Sequence, residues 1–238
     1  MPLAASSMKV FTAIVTIFAV ILLGWGCHVG EAVAAEDPYE VFFSDDEPTD
    51  LLFDSFAKGA MPYEVWVAIP AETRHFLKAW CLINGFNTLL QIPRDLDMVD
   101  MFAGEAALSR TFKSHGFFAA EYDVKHDNMC NILSYVGFAI AIVLTLRLRI
   151  GGLLFAGWSC SSFSWMSLSV TKRCAENGYW GDLTQPSVIT GNEILHRTLL
   201  LMRLAQFRIC LWVGENPGLS RAFKLCIVIQ LLVDLMVS

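Results

Sequence analysis

The chain has 238 residues, 55% of them hydrophobic, and a formal net charge of −6; its mean hydropathy is +0.51. That length suits one α/β domain with appendages, or two small domains. No block of lysine and arginine occurs, so charge argues against a protein that grips duplex nucleic acid on its own through a basic face.

Cysteines stand at 27, 81, 130, 160, 174, 210 and 226, an odd count with no Cys-x-x-Cys pair. No His/Cys spacing matches a zinc site, so no metal is expected. Cys130 and Cys210 lie in apolar stretches and read as small core residues. No Asn-x-Ser/Thr acceptor for glycosylation is present.

In chain order, the first feature is the apolar run Val10 to Trp25, 16 residues, preceded by Lys9 and followed by Gly26-Cys27-His28. A membrane-spanning helix needs roughly 20 apolar residues, so the run is short for a permanent anchor. It suits the core of a signal or targeting peptide, with Ala32-Val33-Ala34-Ala35 as the cleavage site. An uncleaved anchor contacting a membrane through residues 10–25 and a mis-started reading frame are the alternatives. Residues 1–35 are thus read as targeting peptide or anchor. A secretory route, an organelle or a membrane is the expected destination.

Residues 36–60 read as an acidic linker; 36–57 hold eight acidic residues and no basic one. Phe42, Phe43, Leu51, Leu52 and Phe53 are interleaved there, which also allows an acidic-aromatic docking segment. Residues 61–96, with Trp66, Phe76, Trp80 and Leu82, predict one or two helices covering the edge of the domain that follows.

From Asp97 the pattern turns regular. A strand over Met98–Phe102 precedes a helix over Glu105–Ser114, with Gly116 as the glycine after its C-terminus. A second strand covers Phe117–Tyr122. Asn131–Arg149 predicts a long apolar helix broken by Gly151-Gly152, and Leu153–Ala156 a buried strand. Ser159–Ser187 reads as a polar loop. The capping-box spacing Thr190-Gly191-Asn192-Glu193 predicts a helix running to about Arg208, and Ile209–Val213 a further buried strand. Alternating strands and helices imply a Rossmann-like, doubly wound, mainly parallel α/β sheet. Ligands of such sheets sit beyond the C-terminal strand ends. Gly104, Glu121 or Asp123, Cys160 and Glu215 all fall at such ends.

The stretch Val99-Asp100-Met101-Phe102-Ala103-Gly104-Glu105-Ala106 delivers an apolar strand to a turn where glycine lets a ligand approach the backbone, and then to a helix start whose free amides would point at it. With Cys160-Ser161-Ser162-Phe163-Ser164 and Glu215-Asn216-Pro217, the chain resembles the S-adenosylmethionine-dependent methyltransferases, and among them the cytosine-5 DNA methyltransferases. The likeness covers residues 97–221. Phe102-Ala103-Gly104-Glu105-Ala106 is similar to the family's cofactor loop, Phe-x-Gly-x-Gly. The Cys160 segment is similar to its Pro-Cys-Gln-x-Phe-Ser nucleophile loop, and Glu215-Asn216-Pro217 to its Glu-Asn-Val segment.

The resemblance implies that Asp100, Phe102, Gly104 and Glu121 or Asp123 bind S-adenosylmethionine, the acid of the second strand taking the ribose hydroxyls. It implies Cys160 as nucleophile and Glu215 as its acid partner. A thiolate adding at carbon 6 of cytosine turns carbon 5 into a nucleophile, and a carboxyl group near ring N3 favours the addition. The base must leave the duplex to be reached. Nucleic acid therefore enters as substrate through the resemblance.

The chain departs from the family at three places: Ala106 replaces the second glycine, Ser159 the proline before the nucleophile, and Asn131 stands near a usual adenine-facing acid. After Glu215 only residues 216–238 follow, leaving no room for the family's later arginine-bearing strand and DNA-reading domain. The expectation is thus a truncated class I methyltransferase-like domain over 97–221 with an apolar tail over 222–238. The alternative is a catalytically inactive cofactor-binding or interaction module, tethered to or secreted through a membrane.

Overall fold

A computed structural model describes residues 56–217, 219–225 and 227–228. The apolar run 10–25, the cleavage site, residues 36–55 of the acidic segment and most of the tail lie outside the described residues.

Four strands form one all-parallel sheet: β1 (Leu96–Met101), β2 (Ala119–Tyr122), β3 (Leu148–Ala156) and β4 (Leu211–Gly214). Their order is β2-β1-β3-β4. The chain steps outward from β1 to β2, returns past β1 to β3, and continues to β4. The direction of winding therefore reverses between β1 and β3, the position at which parallel α/β sheets bind their ligands. This is an α/β arrangement compatible with a Rossmann-like fold. The C-terminal ends are level: Met101 pairs with Tyr122 and with Ala156, and Ala156 with Gly214.

Among the described residues, the helices α1 (Tyr63–Ala68) and α2 (Ala71–Ile83) precede the sheet, each begun after a proline, Pro62 and Pro70. Then come α3 (Ala107–Ser114), α4 (Tyr135–Leu146), the single turn α5 (Leu168–Thr171) and α6 (Pro186–Phe207). Helix α3 packs on β1 and β2, α4 on β1, β3, α2 and α6, and α6 on β3 and β4. Strand residues alternate between faces. Asp100 points to α3, where its Oδ2 accepts the Ser109 N–H at 3.2 Å, while fully buried Val99 and Met101 join the main core. No described helix is long and apolar enough to cross a membrane.

Helix α3 begins at Ala107 rather than Glu105, because Phe102, Gly104 and Ala106 all take left-handed backbone (φ 60°, 54° and 53°), which a right-handed helix excludes. Its end is as expected. Gly116, at φ 83°, donates to Lys113 O, and Phe117 N–H to Phe112 O, closing a Schellman motif whose two phenylalanine rings lie 5.6 Å apart.

Helix α4 is shorter than Asn131–Arg149. Asn131 Oδ1 accepts the Leu133 N–H, and Ser134 caps the helix by accepting from Gly137 N–H at 2.9 Å. The glycine pair does not break this helix; it lies inside β3. Leu96 pairs with Leu148 but Met98 with Leu153, so β3 bulges there, and Gly151 supplies φ 74°.

Helix α6 starts at Pro186, in the favoured first position, so the Thr190–Glu193 spacing is helix interior and not a cap. Within the expected loop 159–187 lie α5 and short 3-10 turns. The last strand is Leu211–Gly214: Ile209 is 70% exposed and left-handed (φ 60°). Cys210 is buried as expected, whereas Cys130 is only partly so.

Candidate functional site

The turn after β1 is sewn to the end of β2. Phe102 N–H and Ala103 N–H both donate to Tyr122 O (2.7 and 3.3 Å), and Gly104 N–H donates to Asp123 Oδ2 at 2.8 Å. Ala106 N–H closes on Ala103 O. These amides are therefore paired within the protein and are not free for a ligand. The alternating left-handed residues turn them inward toward β2. Above Gly104 the space is open: a Cβ there would meet nothing within 4 Å.

Three carboxylates surround this turn. Asp100, 3% exposed, is held by Ser109 N–H, and burial pushes its pKa above the ordinary value, with Glu121 and Asp123 adding repulsion. Glu121 Oε1 accepts from Lys113 Nζ at 2.7 Å and Ser109 Oγ at 3.1 Å; the lysine contact holds its pKa below the usual range. Asp123 accepts from Gly104 N–H through Oδ2 and from Lys125 N–H through Oδ1, each at 2.8 Å. An ionised carboxylate offers about four acceptor positions, so each Asp123 oxygen retains one.

Across the crevice, β3 continues into the cysteine segment. Gly157 N–H donates to Met101 O at 3.3 Å, tying the two strand ends, and Phe163 N–H donates to Cys160 O at 3.0 Å, folding the segment into a turn. Ser159 and Ser161 hydroxyls share a hydrogen bond beside Cys160.

The turn is anchored from beneath by Arg173, 2% exposed. Its Nε donates to Ser162 O (2.8 Å), Nη1 to Tyr179 O and Trp180 O (2.9 Å each), and Nη2 to Ser162 Oγ (3.2 Å) and, at 3.4 Å, to Val188 O. Its guanidinium carbon lies 4.0 Å from the Phe163 ring centroid. Helix α6 meets the turn at Gly191, where a Cβ would fall 2.1 Å from Ser162 Oγ.

Glu215 follows β4 directly. Its N–H donates to Ala156 O at 2.8 Å, and its Oε2 lies 3.4 Å from where a Cβ on Gly157 would stand. The carboxylate therefore rests against the start of the cysteine segment. Asn216, 8% exposed, donates from Nδ2 to Trp158 O at 2.9 Å and locks the two segments together. Its buried Oδ1 and the buried Trp158 Nε1 have no partner among the described residues.

All seven predicted site residues thus lie along the C-terminal rim of the sheet: Asp100, Phe102, Gly104, Glu121 and Asp123 at β1 and β2, Cys160 and Glu215 at β3 and β4. Comparison with family models, characterised proteins and solved structures finds no match to this chain. The rim must therefore be read from its own chemistry.

The two ends of the rim differ. Asp100, Glu121 and Asp123 are already engaged in holding the glycine turn and α3. Among the described residues, neither the Cys160 thiol nor the Glu215 carboxylate has a hydrogen-bond or ion-pair partner. Asn131, expected near an adenine, spends its side chain on its own turn. No described cluster of three or more His, Cys, Asp and Glu could hold a metal.

Sequence reasoning missed Arg173, Asn216 and Gly191. Asn216 stood inside a quoted motif and so carried a signal. Arg173 carried none, standing beside Lys172 as an ordinary pair of cations in a polar stretch.

Proposed function

We propose that the crevice between β1 and β3 binds S-adenosylmethionine and that the protein is a methyltransferase-like enzyme of the cytosine-5 type. One observation carries this reading: the winding of the sheet reverses between the glycine turn and the cysteine segment, and the rim there holds an uncommitted thiol and an uncommitted carboxylate.

The residues fit the cofactor in two respects. Open space lies over Gly104, and each Asp123 oxygen keeps an acceptor position for a ribose hydroxyl. When bound, the cofactor supplies an electrophilic methyl group. The protein's own part is played by Cys160 and Glu215. The Cys160 thiolate forms a bond to carbon 6 of the pyrimidine, moving the ring's electrons onto carbon 5. Glu215, in its protonated carboxylic-acid form, donates a hydrogen bond or its proton at N3 as that charge develops. Once carbon 5 carries the methyl group, a water molecule acting as base would take the carbon-5 proton, the C–H electron pair would re-form the C5–C6 double bond, and the Cys160 sulfur would leave as thiolate. Arg173 acts as a positioning residue, holding the turn that presents the thiol.

A second reading, a cofactor-binding module without catalysis, is favoured by one feature. Arg173, the cation beneath the cysteine segment, directs its guanidinium at the carbonyls of Ser162, Tyr179, Trp180 and Val188 and at Ser162 Oγ. A cation directed at the sulfur would have stabilised its thiolate.

Calorimetry with S-adenosylmethionine tests the crevice: binding is expected and should vanish in Gly104→Trp, whose indole would occupy the open space. Trapping on an oligonucleotide containing 5-fluorocytosine separates the two readings. A covalent adduct lost in Cys160→Ser supports the enzyme. Cofactor binding without any adduct leaves the module, and no cofactor binding removes both.

A further inference from the structure

At the opposite rim, where the strands begin, Arg94 and Arg208 are neighbours, and neither has an acid partner among the described residues. Arg208, the C-cap of α6, is 5% exposed, and its buried Nε has no partner. Arg94 lies just before β1, partly exposed, and its Nη1 reaches Arg208 O at 3.5 Å. Among the described residues neither guanidinium pairs with a carboxylate.

The nearby acids are consumed elsewhere. Asp95 takes a two-pronged contact from Arg147 (2.8 and 2.6 Å), and Asp97 pairs with Arg149 at 2.9 Å. Cys210 also faces the pair, but its thiol is held to Arg149 O at 3.3 Å and burial pushes its pKa up, so it supplies no anion. Burial, and secondly the charge of Arg94, weaken the hold of Arg208 on its proton. A buried cation beside a second cation is unfavourable unless a counter-charge sits with them.

We propose that Arg94 and Arg208 form a binding site for a small oxyanion, separate from the crevice at the other rim. Guanidinium groups present planar forks of N–H donors, which match the oxygens of a phosphate or carboxylate. Two neighbouring forks suit a group with two or more oxygens. The site is independent of the methyltransferase reading, because no residue of the glycine turn or the cysteine segment contributes to it.

The full chain tests this, with inorganic phosphate as probe and sodium chloride at matched ionic strength as control. Phosphate should raise the thermal midpoint saturably, and calorimetry should give a matching affinity. Arg94→Met, at a partly exposed position, should weaken that affinity about tenfold, the loss of one charge-assisted contact. Arg208→Lys, which keeps the charge and loses the fork, should weaken it likewise. Gly104→Trp should leave the response intact. Acetate serves as a second arm: a response equal to phosphate assigns the site to carboxylates, and a weaker one to tetrahedral oxyanions, both supporting the proposal. A response no greater than chloride, or one unchanged in Arg94→Met, overturns it.

Discussion

Replacing Gly191 by alanine tests how the cysteine segment is held. On an unobstructed helix the change gains about 1 kcal/mol in propensity. Here the new methyl group would stand 2.1 Å from Ser162 Oγ and 3.1 Å from Ser162 Cβ. Ser162 is 3% exposed and cannot swing into solvent. Either α6 moves away, which costs about 1–3 kcal/mol as overpacking, or the hydroxyl leaves Arg173 Nη2 and forfeits a charge-assisted bond of about 1.5–3 kcal/mol. Set against the propensity gain, the net loss should be about 1 kcal/mol. The assay is urea denaturation read as a lowered midpoint at unchanged slope, with Cys160 reactivity toward a thiol reagent rising in parallel. Adding Ser162→Ala removes the obstructing oxygen, so the double variant should be more stable than Gly191→Ala alone. A Gly191→Ala protein as stable as the wild type, or more stable, would refute the packing argument.

Arg173→Met removes the donor from the Ser162 and Tyr179 carbonyls, while Trp180 O keeps only Asn192 Nδ2 at 3.0 Å, and should destabilise by about 3 kcal/mol or more, seen by denaturation, with faster Cys160 labelling under native conditions. An unaltered labelling rate would show that another group holds the turn. Ile209→Gly should raise stability by about 1 kcal/mol, because a β-branched residue there adopts φ 60° at the left-handed position ending α6; a lowered thermal midpoint contradicts that account. Asp100→Asn addresses pH. Burial raises the folded-state pKa of Asp100 above its reference of 3.8, so the folded protein binds the proton more readily and the wild type loses stability as pH rises between the two values. The asparagine variant lacks this slope, so wild type should gain relative to it as pH falls through that window. Parallel stability curves for the two proteins would count against a perturbed Asp100.

The sheet was legible because strand period, glycine punctuation and helix ends agree locally around it. Met98–Phe102, Phe117–Tyr122 and Leu153–Ala156 fall within a few residues of β1, β2 and β3, and Gly116 closes α3 by the motif its position predicts. The misses share a physical origin in contacts that join distant parts of the chain. Ala106 takes a helix-excluding φ in a turn whose amides are drawn to Tyr122 O, at the end of the next strand, and to Asp123 just beyond it. The glycine pair read as a helix breaker serves a bulge against β1, visible only once Leu96 and Met98 have partners.

The candidate site divides in the same way. Cys160 and Glu215 could be picked out as residue types at strand ends, but what sets their geometry comes from elsewhere. Arg173 reaches back 11 residues to Ser162, Gly191 clears room for that serine from another helix, and Asn216 fastens β4 to Trp158 across 58 positions. Short motifs thus name the candidate thiol and carboxylate, whereas the supporting contacts from distant residues set where those two groups stand. The labelling rate of Cys160 in the Gly191 and Arg173 variants therefore probes this support directly, and it does so without any assumption about what binds at the rim.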